Sequence, residues 1–261
     1  VTIDTLDPVF SFLHETEQGD PGYQGSDSSV ALFWDGSDDL SGIMAYEVAL
    51  GTSPGASDLV AWTDVGMDLS TDLVSLTLED GSVYYGSVRT SDLAGNTAEL
   101  YGNGVIVDTT PPEIGLVLDG LDSDNEYQST TGIEVSWSDF SDEGSGIAEY
   151  LYSLGTEENP TSVLDHVSSG LEQSMTLTGL ALDHGSRYIF SIKAIDVVGN
   201  ISAVAASDGF TVDEYVGPPQ VTELSLDTLS SLIALTSNTD LVISLSEPLQ
   251  SYEIGLQAGF Q

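Results

Sequence analysis

Cysteine is absent from all 261 residues, so no disulfide can staple the fold and no thiolate can bind a metal or attack a substrate. Basic side chains are nearly absent as well: Arg89, Arg187 and Lys193 face 43 acids, for a formal net charge of −40. Such a field repels phosphates and anionic headgroups, which excludes nucleic acid and anionic lipid as partners and attracts cations instead. No apolar run approaches the ~20 residues needed to cross a bilayer, so no direct membrane insertion is expected. The first residues also lack the charged-then-apolar pattern of a secretion signal, and Val1 stands inside a linker motif; the chain is expected to be part of a longer exported polypeptide. What is present is a 40% hydrophobic fraction with aromatics recurring in register, which argues for folding and against disorder.

That register is a repeat. Ile3-Asp4-Thr5-Leu6-Asp7-Pro8 matches Val107-Asp108-Thr109-Thr110-Pro111-Pro112 at an offset of 104 residues, and Tyr46/Tyr150, Tyr84/Tyr188 and Asp92/Asp196 keep the same offset. Trp34 falls on Trp137 at 103, so one residue has entered just after the second tryptophan. A third linker, Val212-Asp213 leading to Pro218-Pro219, opens a further unit too short to close by itself. The chain divides into a first module over 1–107, a second over 108–214 and a partial third over 215–261. The acids belong to the modules: only five of them fall in 215–261.

Within each module short alternating strands are separated by turn residues, and no helical period competes with them. Strands are predicted in module 1 near 9–13, 29–34, 43–50, 58–63, 73–78, 82–90 and 98–107, and in module 2 about 104 residues later. Seven strands in roughly 100 residues is a sandwich count. The finer marks are a tryptophan in the second strand (Trp34, Trp137) and a leucine six residues before a tyrosine in the sixth (Leu78 to Tyr84, Leu182 to Tyr188), with Gly81-Ser82 and Gly185-Ser186 between them. Together these resemble the fibronectin type III module, twice over. The Asp-x-x-Gly-Asn loops and the Asp-Thr-Thr-Pro-Pro linker depart from it and resemble the Ig-like repeats of large bacterial surface proteins. The expected fold is all-β: tandem seven-stranded Ig/fibronectin-III-like β-sandwiches with a partial third module.

Several matches to chemical motifs fail on inspection. Gly51-Thr52-Ser53-Pro54-Gly55 fits a nucleophile elbow, but that motif needs a strand turning into a helix, and here a hairpin turn is expected. His14, His166 and His184 have no spacing that suggests a zinc site or a catalytic base. Asp122-x-Asp124-x-Glu126 begins like an EF-hand loop, yet Tyr127 occupies the required glycine position and Ile133 the place of the terminal glutamate. No catalytic residue is expected.

The sharper hypothesis concerns the acidic loops. The fibronectin type III resemblance implies that the loops after the second and sixth strands lie at the same pole as the entering linker. Asp4, Asp38, Asp39, Asp92 and Asn96 should then converge in module 1, and Asp108, Asp142, Glu143, Asp196 and Asn200 in module 2. Calcium takes six to eight oxygens from such loops, and Gly42, Gly95, Gly146 and Gly199 let the backbone turn tightly. The alternative is that Asp, Asn and Gly merely build turns and keep the surface acidic.

Thr-Thr-Pro-Pro and Gly-Pro-Pro are stiff connectors, so the modules are expected to stand end to end. Arg89 and Lys193, equivalent in the sixth strand, are expected to pair with neighbouring acids. Around Val221–Leu226 and Leu241–Leu245 two further strands are expected, completed by missing sequence or by another chain. The functional expectation is a structural spacer of an extracellular, cell-surface microbial protein (adhesin stalk, surface layer or filament) rigidified by calcium. Its partners would be other copies of itself, further modules of the same polypeptide, and a glycan or other cell-surface ligand. The alternative is a set of accessory, non-catalytic modules of a secreted polysaccharide-degrading enzyme.

Overall fold

The computed structural model describes residues 3–16 and 22–213, together with the backbone of two later strands. Module 1 contains β1 (Val9–His14), β2 (Tyr23–Gln24), β3 (Ser29–Ser37), β4 (Ile43–Gly51), β5 (Val60–Gly66), β6 (Ser70–Val74), β7 (Val83–Asp92), β8 (Thr97–Tyr101) and β9 (Val105–Val107). Module 2 repeats them as β10 (Leu116–Leu118), β11 (Tyr127–Gln128), β12 (Ile133–Ser138), β13 (Ile147–Gly155), β14 (Leu164–Gly170), β15 (Ser174–Leu177), β16 (Arg187–Asp196), β17 (Ala205–Ala206) and β18 (Phe210–Val212). Beyond them, β19 (Val221–Leu226) and β20 (Leu241–Leu245) pair antiparallel with each other. Among the described residues no helix is long and apolar enough to cross a membrane.

In each module a three-stranded sheet faces a larger one: β1-β3-β6 against β2-β9-β7-β4-β5, and β10-β12-β15 against β11-β18-β16-β13-β14. Period-2 alternation supplies the inner faces. Val30, Leu32 and Trp34 of β3 point inward, as do Ile133, Val135 and Trp137 of β12. Trp34 packs edge-on against Tyr46 at 6.0 Å, and Trp137 against Tyr150 at 5.8 Å. The two cores are separate clusters, so each module has its own hydrophobic centre. At the corner before the sixth strand, the Glu79 N–H donates to the Tyr84 hydroxyl at 2.9 Å and the Asp183 N–H to the Tyr188 hydroxyl at 3.1 Å.

Two strand expectations shift. The strand placed at 73–78 ends at Val74, because Ser75 adopts a left-handed φ of 64° and breaks the ladder. Leu76 and Leu78 still dock, their N–H groups donating to the Ser28 and Asp27 carbonyls. The strand placed at 98–107 is split into β8 and β9 at Gly102-Asn103-Gly104. Gly102 is required there: a Cβ would lie 1.7 Å from Glu15 Oε1. The short β2 and β11, parallel to β9 and β18, were not anticipated.

Candidate metal centres

The period that builds the core also delivers an acid to each pole. Along β7, Tyr84, Val88 and Thr90 face inward and Asp92 follows on the same parity, only 1% exposed; along β16, Tyr188, Phe190, Ile192 and Ala194 lead to Asp196 at 2%. Two further acids arrive from the linker and from the loop after the tryptophan strand. One carboxylate oxygen each of Asp4, Asp38 and Asp92 lies within 4.8 Å of the others, and the same holds for Asp108, Asp142 and Asp196. The second trio is the first displaced by 104 residues at every position.

Each carboxylate also anchors a turn. Asp92 accepts from the Ala94 and Asn96 N–H groups at 2.9 and 2.8 Å, and Asp196 from Gly199 and Asn200 at 2.7 and 2.8 Å. Asp4 accepts from the Ser41 N–H, 37 residues away, at 3.0 Å; Asp108 accepts from Ser145 at 2.7 Å. Asp38 and Asp142 close their own loops onto the Gly42 and Gly146 N–H groups. Asn96 and Asn200 turn their side-chain NH2 groups toward Asp92 and Asp196, both at 2.7 Å, and so present a donor to the acid. Asp39 and Glu143 are exposed and stand outside both trios; Glu143 instead lines the groove between the modules with Tyr23, Asp80, Glu113 and Asp142.

Burial and like charge act on these carboxylates against the hydrogen bonds they accept. Burial, then the Asp108 and Asp196 charges, raise the Asp142 carboxyl above its usual range. Burial pushes Asp92 upward too, but the side-chain and backbone bonds from Asn96, Gly95 and Ala94 outweigh it and hold that carboxyl below its usual range. An ionised carboxylate offers about four lone-pair sites, so acceptor capacity remains after these bonds. Chemically, each trio can bind a hard cation or brace three loops.

The joint is locked from the other side by Asp80, whose carboxylate accepts from the Thr109 N–H at 2.6 Å and from the Thr109 and Thr110 hydroxyls at 3.0 and 2.8 Å. These bonds hold Asp80 below the usual carboxylate range. In module 2 the position of Asp80 is taken by His184, which lies 3.8 Å from Asp213, the equivalent of Asp108. Arg89 pairs with Glu47 at 2.8 Å and lies over the Trp62 ring, whereas Lys193 faces Leu151 across the sheet. Ser53 sits in an exposed turn, its carbonyl accepting from the Ala56 N–H.

No family model matches the chain. It is 33% identical over 192 residues to Exoglucanase A of Cellulomonas fimi, covering 69% of this chain and 19% of that protein. It is 28% identical over 187 residues to Chitinase A1 of Niallia circulans, covering 68% and 23%. The chain thus spans roughly a fifth of the length of the curated relatives it matches. Among solved structures it is similar to the fibronectin(III)-like modules of Clostridium thermocellum CbhA, with a TM-score of 0.45, 9% identity and coverage of 81% of this chain and 97% of that one. Titin domains A168–A170 give a TM-score of 0.47 at 17% identity, covering 79% and 68%. The sheet order, the second-strand tryptophan and the tyrosine corner occur in both modules. The chain is a tandem of fibronectin type III-like modules.

Two residues of these fibronectin type III-like modules escaped the sequence reading. Glu15 and Asp119, 104 residues apart, are both fully buried between the end of the first strand and the start of the last. The repeat offset was the one available signal, since nothing in the local pattern marks a buried acid.

Proposed function

We propose that this chain supplies non-catalytic spacer modules to a secreted polysaccharide-degrading enzyme whose catalytic domain lies outside these residues. The observation that carries this reading is the likeness to exoglucanases and a chitinase over about 190–200 residues, a span that needs both modules. Cellulose and chitin are insoluble polymers, so an enzyme attacking them works outside the cell, which fits an acidic, cysteine-free exported chain. The exposed aromatics Phe12, Tyr101 and Tyr127 lie in three different sheets rather than in a row on one sheet face, which favours a spacer over a sugar-binding face. The test is to assay the full native polypeptide on insoluble and soluble glucan and chitin, with and without residues 3–213. Activity on insoluble substrate should fall on deletion while soluble-substrate activity persists; a native polypeptide inactive on all of them sinks the reading in favour of an adhesin stalk.

Within that role, calcium at the two repeat-equivalent trios would stiffen the joints, since a divalent cation relieves the like-charge crowding felt by Asp142. Calcium added to chelator-treated chain at constant ionic strength should raise the melting midpoint, and Asp92→Ala or Asp196→Ala should blunt the rise. An unchanged midpoint over millimolar calcium removes the metal and leaves the turn-bracing role.

A further inference from the structure

A third acidic cluster lies at neither joint. In module 2, Asp119 directly follows β10, Asp124 lies in the same loop and Asp208 precedes β18; one carboxylate oxygen from each lies within 4.8 Å of the others. The loop is folded tightly enough to return Asp124 to Asp119, whose N–H donates to Asp124 Oδ1 at 2.9 Å, while the Asn125 N–H donates to the Asp119 carbonyl at 3.0 Å. Asp124, dismissed as part of a broken EF-hand run, therefore does meet other acids, but its neighbours come from outside that run.

A second observation makes this more than an acidic patch. Asp119 is fully buried; its Oδ2 accepts from the Gly209 N–H at 2.8 Å, while Oδ1 is buried with no hydrogen-bond partner. A buried carboxylate oxygen without a donor costs folding free energy unless a cation or a proton meets it. Arg187 is the nearby cation, but its guanidinium donates to the Asp208 carbonyl, and among the described residues it forms no ion pair. Asp124 and Asp208 are exposed, so an ion can enter from solvent and keep water on its open side.

We propose that Asp119, Asp124 and Asp208 bind a calcium ion, with the buried Asp119 oxygen as the inner ligand and the two exposed carboxylates closing over it. The chemistry is that of a hard divalent cation: all-oxygen donors, loop-borne and adjustable, spaced as ligands about 2.3–2.6 Å from a common centre can be. Bound there, the ion ties the loop before β11 to the start of β18, within module 2 and away from either joint.

The test is a calcium titration of the chelator-treated full chain at constant ionic strength. It is followed through the backbone amide resonances of Asn125 and Gly209 at this cluster and, separately, those of Ser41, Ser145 and Asn200 at the joints. A saturable shift of Asn125 and Gly209, with the calcium midpoint weakened about tenfold or more in both Asp208→Asn and Asp124→Asn, supports the site. Both variants alter exposed residues, so the core is left intact. Joint shifts without a response at Gly209 overturn this proposal and leave the joint reading standing. A Gly209 response that survives unchanged in both variants also overturns it. A Gly209 response without joint shifts supports this site and sinks the joint one.

Discussion

The two modules bury an acid at the same repeat position and solve the burial differently. In module 1, Glu15 reaches with its Oε1 to the Gly86 and Gly104 N–H groups at 3.2 and 3.3 Å. In module 2, Asp119 is one methylene shorter and accepts from the Gly209 N–H, the one backbone donor it reaches; the N–H of Phe190, the equivalent of Gly86, is taken instead by the Ser207 hydroxyl at 3.1 Å. Ser207 occupies the place that Gly102 holds in module 1, where any Cβ would collide with the Glu15 carboxylate. A longer acid with a glycine, or a shorter acid with a serine, fills the same volume. The third position differs as well: Asp208 stands where module 1 has Asn103, and around this buried acid only module 2 gathers three carboxylates among the described residues. Side chains in a packed core change in compensating sets, and the module 2 set leaves Asp119 Oδ1 without a donor.

The comparison breaks most visibly by mixing the two solutions. Gly102→Ser alone should destabilise module 1 by about 1–3 kcal/mol through overpacking against Glu15. Adding Glu15→Asp should restore most of that loss, since the shorter acid vacates the space and the new hydroxyl can take the Gly86 N–H. Urea unfolding of the single and double variants measures the coupling. Additive losses would show that the two sites do not compensate each other.

A smaller effect sharpens the electrostatic side. Burial, with the Asp124 and Asp208 charges adding to it, raises Asp119 to about 6 against partial relief from Ser207 and Gly209. The folded state thus holds this proton more tightly than the unfolded chain, whose aspartates titrate near 3.8. Stability rises as pH falls through 6 and levels off below the unfolded value. In chelator, moving from pH 7 to pH 5 should stabilise module 2 by about 1 kcal/mol, with Asp142 contributing in the same direction. Asp119→Asn should remove most of the gain in its melting transition. In module 1 the carboxyl of Asp92 is held low, so its contribution is lost only as pH falls through its depressed value, in stronger acid. A module 2 transition that drops between pH 7 and pH 5 contradicts the burial argument.

The strand pattern, the two modules and the tyrosine corners were legible because each rests on residues close in sequence: alternation in β3 and β12, a leucine six residues before a tyrosine, a glycine-serine turn. Convergence of Asp4, Asp38 and Asp92, and of their module 2 equivalents, was legible once the resemblance to fibronectin type III supplied the topology. Asp39 and Glu143 were included because they adjoin the right residues, yet they lie outside the trios and are exposed. Asn96 and Asn200 carry the oxygens a cation needs, but their amide nitrogens face the acids. Sequence adjacency fixes which residues share a loop; it does not fix which way a side chain turns within it.

By itself the sequence determined an all-β chain of two acidic modules with proline-bearing linkers, since periodicity, turn chemistry and charge are properties of neighbours along the chain. Only the tertiary structure decided that Glu15 and Asp119 are buried, that Asp80 locks the linker, and that Asp124 meets Asp119 and Asp208. Those outcomes depend on β1, β7 and β9 in one module, and β10, β16 and β18 in the other, meeting across long stretches of chain. Hydrogen bonds and like charges then act at distances of about 3–5 Å in space, whatever the separation in sequence.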